Sequence, residues 1–192
     1  MDVLPTGDYV MGSENAGGVI QVYQSGATGF LSSLSGVYGV RVGPDGLIYA
    51  ADMYAIYRID PVTKVKEVYL PEKDGFSPKV LDFSPDLSKM YIGTISGSGK
   101  VYAMDLDANF DPVGNPYLFA NNVGGGWHDG LGVDICGNLY VNDYNSMGLY
   151  RVSPDGSQVE ELLKSNFWEG NYGHGLTWGS AIGGWLEDAI YM

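Results

Sequence analysis

Short strand-like segments, in which apolar and polar residues alternate around a tyrosine, recur along the chain. The tyrosines of these segments are Tyr9, Tyr49, Tyr91, Tyr140 and Tyr191, separated by 40, 42, 49 and 51 residues. A repeat of roughly 40 to 50 residues is typical of a β-propeller, in which every repeat folds as one blade. The spacing therefore predicts a propeller rather than a fold assembled from unrelated elements.

Further strand-like pieces accompany each tyrosine segment. An alternating run precedes it, as at Val40–Val42 and Leu81–Phe83, and two more short apolar runs follow each of the first four tyrosines. Turn-forming sequences such as Pro44-Asp45-Gly46 join the pieces. Four short strands in each repeat predict an all-β protein, a β-propeller of four-stranded antiparallel blades. An antiparallel sandwich is the alternative, but it gives no reason for the same tyrosine and turn to return in register.

The repeat divides the whole chain, residues 1–192, into blades of a single propeller domain. In chain order, the predicted blades cover about 1–35 (partial), 36–70, 77–121, 127–164 and 174–192 (partial). The first is expected to supply only three outer strands, and the last only two inner strands. Three complete blades and two partial ones do not obviously close a ring, so we interpret the chain as part of a longer propeller. A four-bladed circle, in which the N-terminal strands accept the C-terminal inner strand, is the alternative.

Charge and composition narrow the range of partners. The 10 Lys and Arg residues against 23 Asp and Glu residues give a formal net charge of −13, which repels nucleic-acid phosphates and anionic membranes. We therefore expect no nucleic-acid partner. No apolar run reaches the roughly 20 residues that a membrane helix needs, so we also expect no membrane insertion. The single cysteine, Cys136, excludes an internal disulfide framework. The sequence predicts a soluble protein of unknown localisation; a secreted or periplasmic protein without its leader would have the same composition.

The innermost strand of each blade lines the central channel of a propeller, so polar residues that open these strands converge there. Registering the inner strands on their turns places four residues at equivalent positions: Tyr38, Lys79, Asp129 and His174. A carboxylate such as Asp129 binds hard cations or acts as a base, and a histidine such as His174 carries protons near neutral pH. Lys79 is suited to pairing with an anionic group or with Asp129 itself. The alternative is that these side chains only satisfy one another and buried water.

The segment around Asp129 adds candidate ligand contacts. Trp127 and His128 precede Asp129, and a run of three glycines, Gly124–Gly126, comes before them. Glycines permit backbone angles or a close ligand approach that other residues do not. If Asp129 faces the axis, His128 either points away from it or caps the mouth of the channel, because neighbouring residues of a strand face opposite ways. We predict Tyr38, Trp127 and His128 as substrate-binding residues.

Two blades carry the sequence pattern of a known family. The segment Asp129–Val141 reads Asp-Gly-Leu-Gly-Val-Asp-Ile-Cys-Gly-Asn-Leu-Tyr-Val, and Gly39–Asp52 follows the same pattern. These segments resemble the blade signature of the superfamily of senescence-marker protein, gluconolactonase and luciferin-regenerating enzyme. The resemblance implies a six-bladed propeller with calcium or another divalent ion in its channel, held by a Glu, an Asn and an Asp. It also implies that this ion activates a lactone or ester carbonyl, or the attacking water, as a Lewis acid.

The resemblance extends to the metal ligands only in part. Asp129 matches the family's Asp, but Lys79 stands where the family has its Asn, and the blade with the family's Glu is expected to lie outside this sequence. The first interpretation is a metal-dependent lactone or ester hydrolase, with Asp129 as the metal ligand and with His174 and Lys79 as catalytic residues. The second is a non-catalytic propeller that binds an unknown ligand or a protein and has a degenerate metal site. Lys79 separates the two interpretations, and the sequence leaves open whether the protein is an enzyme.

Overall fold

The described part of the chain is built from β-strands and the turns that join them. The computed structural model describes residues 1–13, 15–73, 75–95, 98–164, 174–179, 186 and 188–192. Within these residues, eighteen strands form four four-stranded antiparallel sheets and one two-stranded sheet. The predicted all-β fold of antiparallel propeller blades is confirmed. No helix in these ranges is long and apolar enough to cross a membrane.

The strands follow one another blade by blade. The first blade contains β1 (Asp2–Val3), β2 (Tyr9–Ser13), β3 (Gly18–Val22) and β4 (Thr28–Ser33). The second contains β5 (Gly39–Val42), β6 (Ile48–Ala51), β7 (Ile56–Ile59) and β8 (Lys66–Leu70). The third contains β9 (Pro78–Phe83), β10 (Lys89–Thr94), β11 (Val101–Leu106) and β12 (Pro112–Ala120). The fourth contains β13 (His128–Val133), β14 (Leu139–Asp143), β15 (Gly148–Val152) and β16 (Val159–Lys164), and the last sheet pairs β17 (Thr177–Trp178) with β18 (Ile190–Tyr191).

The first blade has one strand more than the sequence analysis expected. Strand β1 pairs with β2 through Asp2 opposite Val10 and Val3 opposite Tyr9. The Asp2 carboxylate also accepts a hydrogen bond from the backbone N–H of Val42 in the next blade, at 2.7 Å. A strand of two residues shows no alternation of apolar and polar positions, so the sequence pattern could not reveal it. The predicted C-terminal unit contributes β17 and β18, while residues 165–173, 180–185 and 187 lie outside the described residues.

The repeated tyrosine packs between neighbouring blades, which explains why it recurs. Tyr49 is fully buried, and its ring meets those of Tyr69 and Phe83 edge to face at centroid distances of 4.9 and 5.2 Å. Phe83 belongs to the third blade, so this contact joins two sheets. The Tyr49 hydroxyl donates to the Asp45 carboxylate at 2.9 Å, which satisfies its polar end. Apolar clusters of this kind lie between each consecutive pair of the first four blades and hold their faces together.

The guanidinium of Arg41 joins the inner strands of several blades. Its Nη2 donates to the carbonyl oxygens of Leu131 and Leu176 at 2.6 and 2.8 Å, and its Nε lies 3.5 Å from Asp82 Oδ1. Arg41 belongs to the second blade, whereas these partners belong to the third, the fourth and the C-terminal unit. Burial raises the pKa of the Asp82 carboxyl, and the positive charge of Arg41 opposes that shift. Arg41 therefore fixes the mutual positions of strands that carry the candidate site.

Candidate active site in the channel

The four polar residues predicted to open the inner strands meet in one cluster. Tyr38 directly precedes β5, Lys79 is the second residue of β9, Asp129 is the second residue of β13, and His174 precedes β17. Their side chains form a continuous chain of contacts, which also includes the ring of Trp127. We call these five residues the channel cluster. The register inferred from the repeat therefore identified side chains that are far apart in sequence but close together in the structure.

Two glycines allow the inner strands to approach closely at the cluster. A Cβ at Gly39, next to Tyr38, would lie 2.5 Å from the backbone oxygen of Lys79. A Cβ at Gly130, next to Asp129, would lie 2.6 Å from atoms of Gly175 and Leu176. No side chain fits at these distances, so a residue with a Cβ would push neighbouring blades apart.

An ion pair between Lys79 and Asp129 forms the base of the channel cluster. The Lys79 ammonium contacts Asp129 Oδ1, and the side chains are only 2% and 9% exposed. Burial lowers the pKa of Lys79 to about 8, and the negative charge of Asp143 opposes this shift. The Asp129 carboxylate in contact also favours the charged form. Lys79 is therefore mainly a cation at neutral pH, and the pair keeps two buried charges mutually compensated.

Two aromatic rings complete the surroundings of the Lys79 ammonium. Its nitrogen lies 4.9 Å from the ring centroid of Tyr38 and 4.8 Å from that of Trp127. Both distances are within the range of cation–π attraction, in which the negative face of the ring stabilises the cation. The ammonium is thus held by one carboxylate and two ring faces. Tyr38 and Trp127 keep 38% and 37% of their surface exposed, so they also form part of the mouth of the site.

His174 forms the exposed side of the channel cluster. Its Nδ1–H donates to Asp129 Oδ2 at 2.9 Å, and its side chain is 63% exposed. The ring also lies 5.4 Å, centroid to centroid, from Tyr144, which in turn lies 5.8 Å from Trp127. A carboxylate bound to one imidazole nitrogen fixes the tautomer and the orientation of the ring, as in acid–base dyads of hydrolases. Asp129 therefore links a buried cation to an exposed base.

His128 lies apart from the channel cluster despite its position next to Asp129. The ring is fully buried: Nδ1 accepts a hydrogen bond from the backbone N–H of Thr94 at 3.2 Å, and Nε2–H donates to the carbonyl oxygen of Val123 at 2.9 Å. Burial lowers the pKa of His128, so the ring is neutral at physiological pH. Of the two orientations considered from the sequence, the one facing away from the axis is found. Both ring nitrogens serve the backbone, which leaves neither for contact with a substrate.

Asp143 supports the site, although no functional role was predicted for it from the sequence. It is fully buried at the end of β14 and accepts hydrogen bonds from the backbone N–H groups of Gly125, Trp127 and Ser146 at 2.8, 2.6 and 2.7 Å. These bonds fasten the glycine-rich loop that carries Trp127. The only signal in the sequence was the coincidence of an aspartate after a tyrosine strand with three glycines one strand earlier.

The family follows from a match along most of three blades. Residues 39–164 match the family model described as SMP-30/gluconolactonase/LRE-like region. The chain belongs to the SMP-30/gluconolactonase/LRE-like family. This result confirms the resemblance drawn from the blade sequences. No curated protein matches the chain in sequence.

Solved structures with the same fold include a gluconolactonase, a calcium-binding protein and a lyase. A gluconolactonase from Xanthomonas campestris superposes with a TM-score of 0.74 at 19% identity, over 92% of this chain and 63% of that chain. Regucalcin from Agrobacterium tumefaciens, a calcium-binding protein, gives 0.66 at 18% identity, over 83% and 57%. Virginiamycin B lyase from Staphylococcus aureus gives 0.65 at 17% identity, over 94% and 59%. At these identities the likeness shows the fold, and the chain spans 57% to 63% of the length of these proteins.

The donor set around Asp129 does not fit the divalent ion expected from resemblance to the SMP-30/gluconolactonase/LRE-like family. One carboxylate oxygen contacts the Lys79 ammonium and the other accepts the Nδ1–H of His174. Lys79 also puts a positive charge where the resemblance implied a ligand, and like charges repel. Among the residues that the structure describes, no three His, Cys, Asp or Glu side chains are grouped so as to hold an ion. Here Asp129 anchors two side chains instead.

Proposed function

We propose that this propeller is a hydrolase of small lactones or esters, and that His174 and Asp129 carry its chemistry without a divalent ion. The observation that carries the proposal is the position of the Asp129 carboxylate between an exposed imidazole and a buried ammonium. Membership of the SMP-30/gluconolactonase/LRE-like family supports a lactone or ester as the substrate class. A gluconolactonase among the proteins that share the fold points the same way.

The substrate would lie over the channel cluster, against the exposed surfaces of Tyr38 and Trp127. Each ring has the Lys79 ammonium on one side and keeps more than a third of its surface exposed. Flat aromatic surfaces bury a small ring with little loss of side-chain freedom. The predicted substrate-binding roles of Tyr38 and Trp127 are part of this proposal.

Hydrolysis proceeds through two proton transfers at His174. The imidazole accepts a proton from a water molecule as the water oxygen bonds to the carbonyl carbon, and Asp129 stabilises the imidazolium that forms. As the bond from that carbon to the ester oxygen breaks, the imidazolium returns the proton to the departing oxygen. An ester yields an acid and an alcohol, and a lactone yields a hydroxy acid. General acid–base transfer of this kind contributes roughly 100- to 10,000-fold to the rate.

Lys79 acts in this scheme through Asp129 rather than on the substrate. The sequence predicts a catalytic role for Lys79, but its side chain is 2% exposed and its ammonium lies against two aromatic rings. An ammonium in that position compensates the negative charge of Asp129 and holds its carboxylate in place. We therefore assign Lys79 to positioning.

A non-catalytic propeller that binds a small ligand at the same mouth is the second candidate function. It is favoured by the contacts of Asp129, since both carboxylate oxygens already have partners within the protein. The same contacts are expected of a former metal site whose ligand now binds neighbouring side chains. Under this candidate, Tyr38 and Trp127 would bind a ligand and His174 would have no chemical task.

Hydrolysis assays on a panel of sugar and aryl lactones, with a chelator present, separate the two candidates. The first predicts turnover in chelator and a loss of about 100-fold or more in kcat for His174→Ala, with KM little changed. Lys89→Ala is the matched control, because Lys89 pairs with Asp105 on an exposed surface of the third blade. Ligand binding that quenches tryptophan fluorescence, without turnover of any lactone, would leave only the second candidate. Turnover that disappears with chelator would contradict the metal-independent scheme.

A further inference from the structure

We infer that Lys79 is a tethered channel cation: its ammonium permanently fills the place beside Asp129 that a bound ion would occupy, and the channel cluster assembles without one. The inference rests on the contacts of Lys79 and holds whether or not the protein is a hydrolase. Nothing in it requires a substrate.

The surroundings of the Lys79 ammonium are those of a cation-binding site. A carboxylate contacts the nitrogen on one side, and the ring faces of Tyr38 and Trp127 lie within 5 Å of it. A carboxylate and aromatic faces are the groups with which proteins recognise organic ammonium ions. The side chain is 2% exposed, so the positive charge is withdrawn from solvent and is stabilised by these three neighbours and by the nearby negative charge of Asp143.

The Lys79 ammonium also affects how the negatively charged chain interacts with cations at Asp129. A formal net charge of −13 draws cations toward the protein. With the ammonium already at Asp129, an added divalent cation there would face a positive charge at contact distance. The nearby Asp143 carboxylate is already occupied by backbone N–H groups. The ion pair therefore closes the site to metal.

Through Asp129, Lys79 positions His174. The ammonium contacts Oδ1, and His174 binds Oδ2 of the same carboxylate. Holding one oxygen restricts rotation of the carboxylate and directs the other oxygen toward the imidazole. Lys79 is thus a positioning residue, and its loss should change the environment of His174 through the carboxylate that both contact.

A cavity-and-rescue experiment on the full chain tests the inference. Lys79→Ala removes three carbons and the ammonium, so it should leave a cavity bounded by Asp129, Tyr38 and Trp127 that fits n-propylammonium. We expect the variant to melt roughly 10 °C below the wild type, because a buried carboxylate loses its cation. Propylammonium should then raise the melting temperature by several degrees in a saturable way. It should also return the NMR signals of the His174 ring toward their wild-type positions.

Matched controls separate charge from volume. 1-Propanol has the same carbon skeleton without the charge and should rescue Lys79→Ala much less than propylammonium does. Neither compound should change the melting temperature of the wild type or of Lys89→Ala. Lys89 and its neighbour Tyr117 lie on the surface, so removing the lysine leaves no cavity. Calcium at millimolar concentration should leave the melting temperature of the wild type unchanged.

Three outcomes would overturn the inference. They are equal rescue by propanol and propylammonium, no rescue by either, and stabilisation of the wild type by calcium. If Lys79→Ala does not fold, Lys79→Met keeps most of the volume and tests the same point. The double variant Lys79→Met/Asp129→Leu should then melt above Lys79→Met, because it no longer buries an unpaired carboxylate. A double variant less stable than the single one would count against the tethered cation.

Discussion

The imidazole Nδ1 of His174 lies 2.9 Å from Oδ2 of Asp129, although 45 positions separate the two residues in the chain. The backbone supports the same contact, since the N–H of Gly175 donates to the carbonyl oxygen of Asp129 at 3.0 Å. The absence of a side chain at Gly130 lets the two inner strands approach to this distance. The candidate site is therefore assembled between blades, and its geometry depends on how the inner strands are held together.

Removing the Arg41 guanidinium should destabilise the propeller strongly. Arg41→Met leaves Asp82 without its cationic neighbour and two backbone carbonyls without their donor. Loss of one partner from a buried pair costs about 3 to 5 kcal/mol. We expect a decrease of that order in the free energy of unfolding, measured by urea denaturation.

Arg151→Met is the control for Arg41→Met. Arg151 pairs with Glu160 of the next strand, and their side chains are 45% and 57% exposed. Exposed pairs of this kind contribute about 0 to 1 kcal/mol. Similar losses in the two variants would show that Arg41 has no special part in joining the blades.

The stability of the protein should fall as the pH drops below 6.5, and His128 should account for part of the decrease. Burial keeps His128 neutral in the folded state, whereas an unfolded histidine takes up a proton below its ordinary value of 6.5. The unfolded state then holds more protons, so acid favours unfolding by up to about 1.4 kcal/mol per pH unit. Urea denaturation at pH 7.5, 6.5 and 5.5 measures this slope.

His128→Gln removes the titrating group and should flatten the pH dependence between 7.5 and 5.5. The variant is expected to be less stable at neutral pH, because Gln cannot match both backbone hydrogen bonds of the imidazole. An unchanged slope would mean that His128 is not the group responsible.

The architecture was predictable because one residue type performs the same packing task in successive blades. Tyr49 meets Phe83 of the next blade, and Tyr140 meets Trp178 of the C-terminal unit in the same edge-to-face way. A propeller also gives equivalent positions equivalent directions, so the register of the repeat sufficed to bring Lys79, Asp129 and His174 together. The prediction needed no knowledge of long-range contacts, since the symmetry of the fold supplied them.

Features that break the repeat could not be predicted in the same way. Arg41 reaches carbonyl oxygens in two other blades, and no local pattern encodes a contact over 90 or 135 positions. The position of His128 next to Asp129 suggested a ligand-binding residue. Because neighbouring residues of a strand face opposite ways, its side chain points into the protein interior instead. For Lys79, the sequence showed a cation where a ligand was expected, but only the structure showed the two rings that enclose it.

The tautomers of the two histidines test the account most directly. A carboxylate and a backbone carbonyl only accept hydrogen bonds, so His174 must carry its proton on Nδ1 toward Asp129, and His128 on Nε2 toward Val123. Two-bond ¹H–¹⁵N correlation spectra of the wild type at about pH 7.5, where ordinary imidazoles are mostly neutral, distinguish the two forms, and the chain contains only 2 histidines. The account predicts opposite tautomers, with the Nδ1–H form at His174. A neutral His174 with its proton on Nε2 would contradict it.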